Sequence, residues 1–181
     1  MMSLSAVFWM YVLFFAVVGG MRGWAKEILV VAAMILALFI DTLLKTYVPG
    51  FEVALASQGA LTQFVIRGLF FVGLAFFGYE SPALSSLIAS KARREKFQDI
   101  MLGAVLGAIN GYLVFGTLWF YMHEAGYPVP QVLSPADPRV ADAITIDLGA
   151  YLRYLPPQLI GVPYIYFAVA LAFVFVIIVF V

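Results

Sequence analysis

Five apolar runs dominate this chain, and nothing else constrains its fold as strongly. Residues 4–21 and 100–122 carry no charge, and neither do residues 159–181. Residues 28–44 are broken only by Asp41, and residues 61–79 only by Arg67. A bilayer core of about 30 Å is crossed by roughly 20 helical residues. Runs of this length without strict alternation read as helix rather than barrel strand. The expected fold is therefore all-α: a polytopic membrane helical bundle of about five transmembrane helices. One or two amphipathic interfacial helices would accompany them, and the whole chain would form one integral membrane domain.

Composition excludes the alternatives. Of 181 residues, 65% are apolar and 11% charged, with ten basic and ten acidic side chains and a formal net charge of zero. A soluble domain this small would leave much of that apolar content in water. A basic nucleic-acid binder and a disordered chain are both ruled out by the same numbers. With no cysteine and a single histidine, His123, the chain offers no thiolate nucleophile, disulfide framework or bis-histidine haem, and it supplies zinc ligands poorly. No nucleophile motif, phosphate loop or nucleotide fingerprint is present. The expectation is a protein without catalytic residues or cofactors, and His123 reads as a solvated residue at the outer end of the fourth span.

Basic residues in short loops set the expected orientation. Arg22 and Lys26 follow the first run, and Lys91, Arg93, Arg94 and Lys96 follow the third. Lys45, Arg139 and Arg153 fall on the opposite side. Six against three places the N-terminus outside and the C-terminus inside. The first run has no basic residue before it and no small-x-small site after it, so it reads as an uncleaved span. Trp9, Trp119, Tyr121, Tyr164 and Tyr166 stand near span ends, as aromatic belts require.

Two segments between the spans carry helix starts. Ser81-Pro82 opens a stretch ending in the basic group, suited to an anionic inner leaflet. The outer segment, residues 123–157, holds six of the nine prolines. Within it, Asp137-Pro138 opens a stripe of Val140, Ile144, Leu148, Leu152 and Leu155, an amphipathic helix lying on the outer face or packing on the bundle.

Three groups stand out as candidate interface or functional residues. Gly103, Gly107 and Gly111 fall every fourth residue, giving one helix a smooth face. In lipid, such a face lets two backbones approach closely, within the chain or in a self-associated pair. Arg22, Gly23, Lys26 and Glu27 form a charged turn, in which Glu27 can pair with either cation. Arg67 lies about 9 Å inside its run and Asp41 at similar height. A membrane-buried charge is a functional hypothesis by default, and an Asp41–Arg67 pair is expected.

The turn Gly-x-x-Arg-Gly-x-x-x-Glu, met at Gly19, Arg22, Gly23 and Glu27, precedes a later segment with Asp99, Gly103, Gly107 and Gly111. Together these resemble the colicin V production protein (CvpA) family over roughly residues 4–122. Ile100 and Asn110 stand where that family often has arginines. The resemblance implies a small bacterial inner-membrane protein linked to toxin production or export and to envelope homeostasis. It supplies no enzyme activity, cofactor or catalytic residue, and the expected action is binding or assembly, with other membrane proteins or by self-association through the Gly103, Gly107 and Gly111 face. Arg22, Glu27 and Asp99 are the positions it singles out. An accessory subunit of a larger membrane complex, for instance an energy-converting one, and a small channel or transporter are the rival readings.

Overall fold

The computed structural model describes residues 4–79, 96–128 and 151–180. These are 87% helical with no strand, so the described fold is all-α. In chain order the helices are α1 (Leu4–Arg22), α2 (Trp24–Tyr47), α3 (Phe51–Ala56), α4 (Ala60–Tyr79), α5 (Lys96–Glu124), α6 (Pro156–Leu159) and α7 (Tyr164–Phe180). The expected interfacial helix after Ser81-Pro82 lies outside the described residues, as does most of the outer stripe, Val140 to Leu148.

Four helices, α1, α2, α4 and α5, are long and apolar enough to cross a bilayer. They match four of the expected spans. Two run longer than their uncharged stretches. α2 begins at Trp24 and takes Lys26 and Glu27 into its first turn, where an acidic side chain favours the positive helix end. α5 begins at Lys96, with Asp99 in its first turn.

The fifth span needs correcting. Residues 159–181 do not form one helix. A single turn, α6, ends at Leu159, and α7 starts at Tyr164 with 17 residues. Pro163 lacks a backbone N–H and disfavours helical geometry at the residue before it, so the helix restarts after the proline. At about 25 Å, α7 is shorter than the other apolar helices.

α5 is the central element. It packs along α1 and against α2, with smaller contacts to α4 and α6, while α2 also carries α4 and α7. The contacts fix direction. Gly19 meets Gly103 and Phe8 meets Trp119, so α1 and α5 are antiparallel. Glu27 meets Asn110 and Lys45 meets Glu124, so α2 and α5 run the same way. Gly78 meets Val30 and Arg67 meets Asp41, so α4 opposes α2. The crossings alternate as an up-and-down bundle requires.

The core is thin. Val30, Met34, Ala37 and Leu38 of α2 pack against Phe71 and Ala75 of α4 and Leu113 of α5. Outside it, large apolar side chains face outward: Leu13, Phe14 and Val17 on α1, Leu69 and Phe77 on α4, Leu171 and Ile178 on α7. Exposed apolar surface on this scale marks a membrane contact, and with four helices of crossing length it makes the chain an integral membrane protein.

Two aromatics expected in the belts are core residues instead. Trp119 and Tyr121 are buried, because the chain folds back over them. Tyr151 stacks on Trp119 at 5.9 Å, and Phe71 packs edge-on to Tyr121 at 6.3 Å. Trp9 and Tyr164 are exposed, as a belt needs. The end of the outer segment packs inward: Leu155 is buried, and Pro156 fills the space above Gly116.

Candidate functional site

The glycine spacing of α5 has a direct structural counterpart. A Cβ on Gly107 would lie 2.8 Å from the Gly19 Cα and would also strike the Phe15 carbonyl. A Cβ on Gly111 would lie 2.8 Å from the Phe15 Cβ, and one on Gly103 would strike the Gly19 carbonyl. All three glycines face α1 of the same chain, so the intra-chain alternative is the one adopted. Self-association through this face would require α1 to leave. Lipid supplies no hydrophobic drive between helices, and close backbone approach replaces it.

The turn between α1 and α2 rests on the same surface. Gly23 takes φ 85°, the left-handed region that favours glycine. Its missing side chain leaves room for Asp99, whose carboxylate oxygens would sit 2.9 Å from a Cβ there. Gly23 is the residue before α2 and brings no capping side chain. Asp99 provides one from α5: the Trp24 N–H donates to Asp99 Oδ1 at 3.1 Å. An anion at a helix N-terminus meets both the free N–H groups and the dipole. Replacing Asp99 with alanine should lower stability by about 1 kcal/mol, while Asp99→Asn keeps most of it. Thermal unfolding in detergent reads this directly. A D99A protein that melts with the wild type would discard the cap.

Deeper in the bundle, Glu27 is fully buried. Its carboxylate accepts from Arg22 Nη1 at 2.9 Å and from Asn110 Nδ2 at 2.7 Å. Asn110 Nδ2 also donates to the Glu27 carbonyl at 3.1 Å. Arg22 spends a second N–H on the Tyr79 carbonyl at 3.2 Å and lies over the Tyr79 ring at 4.2 Å. Between the two cations open to it, Glu27 pairs with Arg22. Lys26 is exposed and makes no ion pair among the described residues.

A second cluster sits toward the other end. Arg67 Nη2 donates to Asp41 Oδ2 at 3.1 Å, the expected pair. Arg67 Nη1 also bonds Glu124, and its guanidinium stacks on Tyr121 at 3.7 Å. Lys45 lies 3.7 Å from Asp41 and 3.4 Å from Glu124. Arg67 and Asp41 are largely shielded, with side chains 8% and 13% exposed, whereas Glu124 at 37% reaches the surface. His123, beside it, is exposed.

Sequence reasoning missed Asn110, Glu124, Lys45 and Tyr121. Glu124 had the same signal that found Asp41, a carboxylate at the height of Arg67. Asn110 had one too, being the one amide among the glycines of an apolar run.

Fourteen residues separate Glu27 from Asp41 on α2, and fourteen separate Asn110 from Glu124 on α5. The clusters therefore lie about 21 Å apart along the bundle. Val30, Met34, Ala37, Leu38 and Phe71 fill most of the space between them. Each cluster balances its own charge, and the buried Thr117 hydroxyl lies midway between them on α5. Among the described residues no three His, Asp or Glu side chains converge as metal ligands would. Comparisons with protein-family models, with curated proteins and with solved structures gave no match.

Proposed function

We propose that this chain is a multi-pass protein of the bacterial inner membrane, of the CvpA type, acting by assembly rather than catalysis. One observation carries the proposal. The two segments of the resemblance, far apart in sequence, lie against each other residue by residue: Gly19 on Gly103 and Gly107, Gly23 and Trp24 on Asp99, and Glu27 on Asn110. A pattern of glycine and charge that serves one helix junction belongs to the frame of the protein. In this reading Asn110 donates to Glu27 at a position where the family often carries arginine. The orientation is N-terminus outside, with the Arg22 turn and the basic group after α4 in the cytoplasm. The role is in toxin production or export and envelope homeostasis, through other membrane proteins.

A channel or transporter is the weaker reading, since the space between the two charge clusters is filled mainly by apolar side chains and holds no charged side chain among the described residues. An accessory subunit of a larger complex remains the main rival. Extraction from native membranes in mild detergent, native-gel sizing and mass spectrometry of the band separates them. The proposal expects a band near a monomer or dimer, and a deletion strain with altered detergent sensitivity or toxin export. A large band with fixed, stoichiometric companions would replace it with the subunit reading. Flux in liposomes that depends on Arg67 would replace it with the transporter reading.

A further inference from the structure

The packing of α4 and α7 on the same helix leaves a groove between them. It has a volume of about 310 Å³ and is walled by Leu29, Ala33 and Leu36 of α2, Leu74 and Gly78 of α4, and Phe173 of α7. All of these are apolar.

Its position limits what fits. Leu29 to Leu36 covers two turns, about 10 Å, in the half of α2 nearest Arg22. One leaflet of a 30 Å core is about 15 Å thick. The groove thus belongs to a single leaflet. A partner helix crossing the membrane would be unsupported over most of its length, whereas an acyl chain would be supported over most of its own.

One basic residue continues the groove-facing side of α2 beyond Leu29. Lys26 lies seven residues before Ala33, so the two project from nearly the same side of α2. Lys26 is exposed and has no ion-pair partner among the described residues, while its neighbour Arg22 is committed to Glu27 and Tyr79. A lysine stem lies along apolar surface and delivers its ammonium to headgroup depth.

We propose that this groove holds one acyl chain of an anionic phospholipid, in the leaflet at the Arg22 end, with the Lys26 ammonium on the lipid phosphate. The groove selects a single chain by shape, and Lys26 selects the headgroup by charge.

Native mass spectrometry of the purified full chain tests this, after equilibration in micelles containing equal phosphatidylglycerol and phosphatidylcholine. The expected result is one retained lipid per chain, with phosphatidylglycerol favoured about fivefold, as one interfacial lysine supplies. Lys26→Gln should reduce that preference to near unity without changing the fold, since the side chain is exposed. Ala172→Phe should fill the groove from its α7 wall and lower retention of both lipids at least fivefold. Absence of a one-to-one adduct, an unchanged preference in K26Q, or unchanged retention in a folded A172F protein would each overturn the proposal. So would a wild-type dimer that A172F converts to monomer, which would give the groove to a second copy. K26Q alone decides the headgroup assignment if A172F does not fold.

Discussion

Leucine at Gly107 should detach α1 from the bundle. The Gly107 Cα faces backbone rather than side chain: the Phe15 carbonyl and the Gly19 Cα and N all lie within reach of a Cβ. A flexible side chain would swing aside, but a helix backbone cannot. Relief requires α1 to move away along its whole length, which also opens the contacts at Gly103 and Gly111. The cost should reach about 3 kcal/mol, the upper part of the range for overpacking. Gly73→Ala is the matched control. Nothing lies within 4 Å of a Cβ there, so alanine should leave stability unchanged or raise it by up to about 1 kcal/mol through helix propensity. Thermal unfolding in one detergent, with cysteine cross-linking between introduced residues on α1 and α5, measures both. Equal melting of G107L and G73A would mean that the two helices do not pack through glycine.

Arg67→Met should be comparably severe for an electrostatic reason. Arg67 holds two carboxylates at once, Asp41 and Glu124, in a largely shielded place. Removing it leaves two acids facing each other, with Lys45 the remaining cation beside them among the described residues. Breaking a buried pair by removing one partner costs about 3–5 kcal/mol. The lower end applies here, because Glu124 is partly open to solvent and Lys45 compensates in part. Removing the charges together should recover most of the loss, since an isolated buried pair adds little net stability over apolar packing. The triple variant Arg67→Met, Asp41→Asn, Glu124→Gln should therefore unfold closer to the wild type than R67M alone. If the triple variant is no better than the single one, Arg67 acts through its packing on Tyr121 rather than through charge.

Span and pairing were readable from the chain to different depths. Arg67 and Asp41 could be matched because height in a membrane follows residue count, and a charge at depth needs a partner at the same depth. Glu27 was harder. It stood beside two cations, and local sequence does not choose between Arg22 and Lys26. The choice was made by Asn110 and Tyr79, which arrive from α5 and α4 and draw Glu27 and Arg22 into one network. The glycines of α5 announced a close helix contact without naming the partner. Gly19 belongs to the contact because its own helix meets them.

The fifth run shows the opposite limit. Its uncharged length argued for one span, yet Pro163 and the packing of Leu155 and Pro156 on α5 divide it into a turn and a shorter helix. Trp119 and Tyr121 likewise read as belt residues from their position alone, and became core once Tyr151 and Phe71 covered them. Helicity, membrane crossing and the approximate place of each crossing were legible in the chain. Those follow from lengths of apolar chain that water cannot accommodate, a local property. Packing chose which helix fills the glycine face, which cation neutralises Glu27, and where a groove remains. Those depend on contacts between residues tens of positions apart, and hydropathy carries no record of them.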